Sequence, residues 1–314
     1  MAPGCILVTG ASGFVGRHLL PQLRVAFPAA RLLAATRGAA LPLADATIPF
    51  DLLDPAGIAA MLAEHLPDVV LHLAAQADVG ASFQDPAACW RANVDGTLAL
   101  ARALPPETLL VHASSAEVYG LTFQRGQPLA EDAPMAPANP YAAAKAAADL
   151  ALGEMALRGL RLVRLRAFNQ VGPGQGPGFV VAAFARQIAR IEAGLQPPEL
   201  RVGALDRWRD FLDVRDVAAA FVAAVQQAAS LPPGVALNIA SGTPRRVGDV
   251  LAALLARSAA RITVVPEAAR LRPTDVAWVA GDASLARRLL GWAPRQDWEQ
   301  TLDAVLADWR GRIA

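Results

Sequence analysis

Short apolar runs punctuate the first half of the chain. Strand patterns lie near 4 to 9, 31 to 36, 46 to 50, 69 to 73, 108 to 113 and 161 to 166. Helix patterns near 14 to 25, 55 to 65, 86 to 104 and 140 to 158 fall between them. A strand covered on both faces reads as a continuous apolar run, and a crossover helix reads with the 3.6-residue period. The alternation predicts right-handed crossovers and an α/β fold with a doubly wound, largely parallel sheet. After residue 167 the rhythm changes. Gly172-Pro173-Gly174-Gln175-Gly176-Pro177-Gly178 has a loop composition, followed by a helix around Phe179 to Ala193 and a break at Pro197-Pro198. Residues 1–167 and 211–241 are expected to form the sheet domain, the second segment returning through a helix and the strand Ala236 to Ile239. Residues 168–210 and 242–314 are expected to form a smaller C-terminal substrate lobe.

The first strand feeds Thr9-Gly10-Ala11-Ser12-Gly13-Phe14-Val15-Gly16-Arg17. Gly10 allows a sharp turn off the strand, Gly13 lets backbone approach a pyrophosphate, and Gly16 lets the helix pack closely on the sheet. The helix N-terminus supplies free N–H groups for phosphates. The expected reading is a Rossmann-type dinucleotide turn, and the alternative is a tight strand-to-helix turn with no ligand. The second strand ends in Thr36-Arg37, beside the expected adenosine ribose, where an acidic residue would favour NAD. A hydroxyl and a fixed cation there suit a 2′-phosphate, so NADP is the expected coenzyme; the alternative is that Arg37 is a solvated strand end.

Tyr141 and Lys145 stand four apart in the alanine-rich helix from Pro140 to Leu157, hence on one face. An ammonium near the phenol stabilises the phenolate and brings the hydroxyl into acid–base range. Upstream, Leu109-Leu110-Val111-His112-Ala113 ends in Ser114-Ser115-Ala116-Glu117, which puts Ser115 at the carboxyl end of a parallel strand, where open α/β sheets bind ligands.

With these motifs the chain resembles, nearly end to end, the extended short-chain dehydrogenases/reductases that modify sugar nucleotides. Phe50-Asp51-Leu52, Leu71-His72-Leu73-Ala74-Ala75, Asn93-Val94-Asp95-Gly96-Thr97 and Asn139-Pro140 belong to the same likeness. The resemblance implies that Ser115, Tyr141 and Lys145 are the catalytic set, that Asp51 bonds the adenine, and that Asn93 shapes the active-site helix. It also puts Ser12, Phe14, Val15, Leu52, Leu73, Ala74 and Ala75 on the coenzyme. Family members usually pair through the helices holding Asn93 and Tyr141, so a homodimer is expected.

A narrower likeness, to reductases of GDP-4-keto-6-deoxy-D-mannose that form GDP-D-rhamnose, rests on Phe168 to Val180, Phe184 to Gly194 and Arg209 to Val217. Gln170 stands where that pattern usually has histidine. A nucleoside diphosphate calls for guanidinium groups. The resemblance offers Arg209 and Arg272 for phosphate or ribose, Asn169 for the diphosphate-sugar region, and Arg186 as a further contact. Ser82, in the connector Asp78 to Ser82, is a candidate sugar contact. The implied reaction is hydride transfer from NADPH to the C4 ketone, with Ser115 bonding the carbonyl oxygen, Tyr141 delivering the proton and Lys145 supporting Tyr141. Two reactions on the same scaffold stay open. A 4,6-dehydratase would use Glu117 as base, but Ala116 stands where its proton-donating partner belongs; a 4-epimerase needs only Ser115, Tyr141, Lys145 and tightly held NAD.

Composition narrows the remaining classes. A hydrophobic fraction of 54% with 18% charged residues describes a compact globular chain of 314 residues, and a net charge of +1 gives no reason to propose nucleic acid or a membrane surface. The first strand begins near residue 4 and no apolar run approaches the roughly 20 residues of a membrane span, so a cytoplasmic location is expected. Cys5 and Cys89 lack CxxC spacing and are expected to be reduced, buried thiols, and no two of the four histidines share a helix face, so no metal is expected.

Overall fold

A computed structural model describes residues 2–38, 40–267 and 276–313. Its first part runs β1 (Cys5–Thr9), α1 (Phe14–Ala26), β2 (Arg31–Thr36), β3 (Ala46–Pro49), α2 (Pro55–His65), β4 (Val69–His72), α3 (Val79–Gln84), α4 (Pro86–Trp90), α5 (Thr97–Ala103), β5 (Leu109–Ser115), α6 (Pro140–Leu157) and β6 (Leu162–Ala167). It continues through β7 (Asn169–Val171), α7 (Val180–Glu192), β8 (Glu199–Val202), β9 (Trp208–Asp213), α8 (Val214–Gln226) and β10 (Val235–Ile239). The last elements are β11 (Pro244–Arg246), α9 (Val247–Leu255), β12 (Thr263–Pro266), α10 (Ser284–Leu290) and α11 (Trp298–Ile313). Among the described residues no helix is long and apolar enough to cross a membrane.

Seven parallel strands form the main sheet in the order β10-β6-β5-β4-β1-β2-β3. Alternate residues of a strand point to opposite faces, and β1 feeds two cores accordingly. Ile6 and Val8 pack with Leu19 and Leu23 of α1 and Val217 and Phe221 of α8. Leu7 packs on the other face with Ile58 and Leu62 of α2 and Leu100 of α5. The chain leaves β1 toward β2 on one side and returns as β4 on the other, which opens a crevice at their carboxyl ends, the ligand position of this architecture.

A third core joins α7, α9 and α11 around Ile188, Leu254, Leu302 and Leu306. Beside it lie a three-stranded sheet, β11-β9-β7, and a two-stranded one, β12-β8. Strand β9 runs across the expected boundary at 210/211 and pairs with β7, not with the main sheet. Helix α10, expected in the substrate lobe, packs Ala286 and Leu290 into the core shared with α1 and α8.

Two local departures matter for the site. The segment read as one helix from 86 to 104 is α4, then a turn of π-helix at Arg91–Gly96, then α5. The expected connector Asp78 to Ser82 is the start of α3, with the Asp78 carboxylate accepting from the Ala81 amide as its N-cap.

Candidate active site

The glycine turn has the geometry of a phosphate cradle. Gly10 adopts φ +69°, and a Cβ there would lie 2.8 Å from the Ala74 amide nitrogen. A Cβ on Gly16 would lie 2.3 Å from the Ala11 carbonyl oxygen, so only glycine lets α1 start this close to its turn. Gly13 is the N-cap of α1 and has no side chain to close off the helix amides. From the other side of the crevice, the Leu73 amide donates to the Thr9 carbonyl at 3.2 Å, and the Thr9 hydroxyl pairs with His72 Nδ1 at 2.7 Å. His72 reaches on to the Thr97 hydroxyl at 3.1 Å; burial and the Lys145 charge hold its ring down at about 3, hence neutral.

Thr36, expected to bond a coenzyme phosphate directly, is buried, and its hydroxyl pairs with Ser12 Oγ and accepts from the Gly38 amide at 3.1 Å. It shapes the turn. Arg37 is exposed and makes no hydrogen bond or ion pair with the described residues. Arg17, which sequence reasoning passed over, lies at the same turn, its Nε donating to the Ser12 carbonyl at 2.8 Å. The readable signal was a cation directly after the third glycine. Asp51 is exposed after β3, its carboxylate accepting from the Leu53 amide at 2.9 Å, and Leu52 is buried against Gly96, where a Cβ would lie 2.5 Å from Leu52 Cγ.

The catalytic candidates converge at the end of β5. Helix α6 begins with Asn139, whose side-chain Oδ1 accepts from the Ala142 amide at 2.8 Å, and Pro140 at its first position. The Asn139 side-chain NH2 donates to Glu117 at 3.1 Å, and the Glu117 amide donates to Ser115 Oγ at 3.1 Å. Ser115 is thereby fixed as an acceptor with its own proton left to donate. Burial pushes the Tyr141 phenol up to about 12; the Ser115 hydroxyl opposes the rise, and Glu117 and Cys89 add to it. Tyr141 is thus a protonated donor at neutral pH. Lys145 is buried at 3% exposure and donates to the Ala113 carbonyl at 2.5 Å. Burial pulls it down to about 8 against the opposing Asp149 carboxylate. In this arrangement the ammonium is held on the backbone of β5, and desolvation dominates the phenol.

Asn93 sits in the π-helical turn. Its side-chain Oδ1 accepts from the Gln76 backbone amide at 2.8 Å, and its side-chain NH2 donates to the Gln76 backbone carbonyl at 2.9 Å and to Cys89 Sγ at 3.4 Å. It clamps the segment after β4 to the helix beside Tyr141. Cys5 and Cys89 are both free thiols; Cys89 is buried and Cys5 only partly so.

On the opposite side, the Gly172 to Gly178 loop is gripped from two helices. His18 Nε2 meets the Pro173 carbonyl at 2.8 Å, the Gly174 amide donates to Asp308 at 3.0 Å, and Arg312 donates to the Gln175 carbonyl at 3.2 Å. The loop approaches Asp78, whose carboxylate would lie 3.8 Å from a Cβ on Gly178. Next to it, Pro177, Arg186, Arg190, Glu199 and Arg201 line an open cleft of about 370 Å³. Arg186 is exposed, and the Asn169 side chain makes no hydrogen bond to the described residues. Arg209, on β9 opposite Arg245, donates to the Trp208 carbonyl at 2.7 Å. Arg272 lies outside the described residues. Ser82 is a correction: it is fully buried and its hydroxyl donates to the Val79 carbonyl at 2.7 Å, inside α3.

The profile of the NAD dependent epimerase/dehydratase family matches residues 6–240. A GDP-6-deoxy-D-mannose reductase of Pseudomonas aeruginosa is 36% identical over 312 residues, covering 98% of this chain and 98% of the relative. A UDP-glucose 4-epimerase of Azospirillum brasilense is 30% identical, covering 95% of this chain and 92% of the relative. Among solved structures, RMD from Pseudomonas aeruginosa complexed with NADPH has a TM-score of 0.84 at 34% identity, covering 98% of this chain and 99% of that chain. Likeness of this length, on a crevice built as described, carries one assignment: the chain belongs to the NAD dependent epimerase/dehydratase family.

Proposed function

We propose that this protein reduces the C4 ketone of GDP-4-keto-6-deoxy-D-mannose to GDP-D-rhamnose with NADPH. The observation that carries the reaction type is the convergence of Tyr141, Ser115 and the buried Lys145 at the carboxyl end of β5. The choice of substrate and coenzyme follows the Pseudomonas aeruginosa relative, 36% identical across 98% of both chains, and the NADPH complex of RMD. Absorbance loss of NADPH on adding this ketone, and none on adding UDP-glucose, is the expected result; interconversion of UDP-glucose and UDP-galactose without coenzyme consumption would contradict it.

The body around the main sheet takes the coenzyme, and the elements around β7, β8 and α7 take the sugar nucleotide. Gly10, Gly13 and Gly16 leave room for the diphosphate, Asp51 faces the adenine, and Arg37 and Arg17 face the 2′-phosphate. Bound there, NADPH supplies the hydride. Ser115 donates a hydrogen bond to the ketone oxygen and keeps its proton, because its own oxygen already accepts from the Glu117 amide. Tyr141 delivers the proton as negative charge develops on that oxygen, and the buried Lys145 ammonium offsets the charge left on the phenol. Glu117 acts through Asn139 and Ser115, which it holds in place. Dehydration of a hexose would need a proton donor for the leaving hydroxyl, and the buried Ala116 methyl stands beside Glu117 instead.

The arginine cleft takes the nucleoside diphosphate, with Arg186 offering a guanidinium to a phosphate oxygen. Arg186→Glu should raise KM for the sugar nucleotide on the order of tenfold or more with little change in kcat, the loss of one charge-assisted hydrogen bond. An unchanged KM would remove Arg186 from the binding surface.

The protein works in the cytoplasm as a homodimer. Exposed apolar side chains on neighbouring helices, Trp90 on α4 and Leu150 and Leu157 on α6, give the surface that a second copy covers. Light scattering should report a dimer, and Leu150→Glu with Leu157→Glu a monomer. A monomeric unmodified protein would contradict this assembly.

A further inference from the structure

Two arginines on one strand and an aspartate in an alanine-rich helix are unusual occupants of a sheet interior. Arg164 and Arg166 alternate on β6, so both reach the same face. Both bind Asp149, which is fully buried. Asp149 Oδ1 accepts from Arg164 Nη1 at 2.7 Å and Arg166 Nη2 at 2.9 Å; Oδ2 accepts from Ser114 Oγ at 2.5 Å and Arg166 Nε at 3.1 Å. Each carboxylate oxygen thus accepts two hydrogen bonds. Arg166 goes on to the Tyr119 hydroxyl at 2.9 Å and the Glu131 carbonyl at 2.8 Å. Burial would raise the Asp149 carboxyl, but Arg166, Arg164 and Ser114 hold it below the ordinary range, so it is an anion.

Its placement relates directly to the chemistry. Asp149 is one turn beyond Lys145 on α6, and Ser114 is the residue before Ser115 on β5. We propose that Asp149 is the positioning residue of this active site: it locks the helix carrying Tyr141 and Lys145 to the strand carrying Ser115, and sets a buried negative charge one helical turn from the Lys145 ammonium.

A glycine leaves room for the same cluster. A Cβ on Gly153 would lie 2.7 Å from Arg164 Nη1, so the helix gives up a side chain where the guanidinium passes beneath it. Glycine is the poorest helix former after proline, and this one interrupts an alanine-rich helix. Cohesion alone does not account for the arrangement, since well-packed apolar residues usually serve stability as well as a buried ion pair does. Around Lys145 the other titratable groups are Tyr141 on its own helix, Cys89 from α4, His72 from β4 and His112 from β5. Both histidine rings are held neutral by burial, with the Lys145 charge adding to the effect. Asp149 is therefore the anion that faces this ammonium.

The test uses Asp149→Asn and Ser114→Ala in the full chain, each scored relative to the unmodified protein. The proposal rests on the reductase reading, but unmodified turnover tests that reading separately. In Asp149→Asn, kcat should fall between about 10- and 100-fold. Without the neighbouring anion the ammonium loses its proton at lower pH, so the alkaline limb of the kcat profile should move down by about one pH unit or more. Ser114→Ala keeps the charge and cuts the tie to β5; kcat should fall about fivefold or more with the limb unmoved. KM for the sugar nucleotide should stay unchanged in both. A folded Asp149→Asn protein with ordinary kcat and an unmoved limb would overturn the proposal. So would ordinary kcat in Ser114→Ala, whether or not Asp149→Asn folds.

Discussion

Tyr141→Phe should bind NADPH as the unmodified protein does and turn over about 100-fold more slowly or worse. The substitution keeps the ring and its packing and removes only the hydroxyl. That hydroxyl stays protonated at neutral pH, because burial pushes it up to about 12, and it lies beside the Ser115 hydroxyl that is to hold the ketone oxygen. The loss should therefore fall on kcat, with the coenzyme dissociation constant, read from NADPH fluorescence, unchanged. Turnover near that of the unmodified protein would take the proton-donor role away from Tyr141 and leave Ser115 with the acid–base work.

The coenzyme should change with Arg37. Arg37 is exposed at the end of β2, without a partner among the described residues, and Arg17 lies across the same turn. A charge-assisted bond to a 2′-phosphate contributes about 1.5 to 3 kcal/mol, a preference for NADPH over NADH of roughly ten- to hundredfold in kcat/KM. Arg37→Asp should reverse that order. A carboxylate repels the phosphate and can accept from the free ribose hydroxyls of NADH. Equal efficiency with both coenzymes in the unmodified protein would make Arg37 a solvated bystander and favour the epimerase reaction.

Local signals reached the parts of the molecule that local physics determines. The turn from Gly10 to Gly16 was readable because Gly10 and Gly16 are required by contacts within the βα unit or its immediate neighbour strand. Tyr141 and Lys145 were readable because helical spacing alone puts them on one face. The break at Asn93 was not, because the π-helical turn accompanies a pair of hydrogen bonds to Gln76, seventeen residues earlier, and leaves no trace in the apolar periodicity. Strands β7 and β11 span three residues each and are defined by pairing with β9, so no run of their own announces them. The start of α3 did carry a signal, an aspartate three residues before Ala81, and with it the interior position of Ser82. Asp149, Arg164 and Arg166 were passed over in the sequence, because their pairing exists only once α6 lies over β6.

The most direct measurement follows the transferred hydrogen. The protein is incubated with GDP-4-keto-6-deoxy-D-mannose and NADPH deuterated at the transferable C4 position, and the product is examined by NMR and mass spectrometry. The account predicts stoichiometric coenzyme oxidation, one deuterium at C4 of the sugar, and a product identified as GDP-D-rhamnose. An untouched ketone, or efficient loss of water from GDP-mannose by this protein alone, would contradict it.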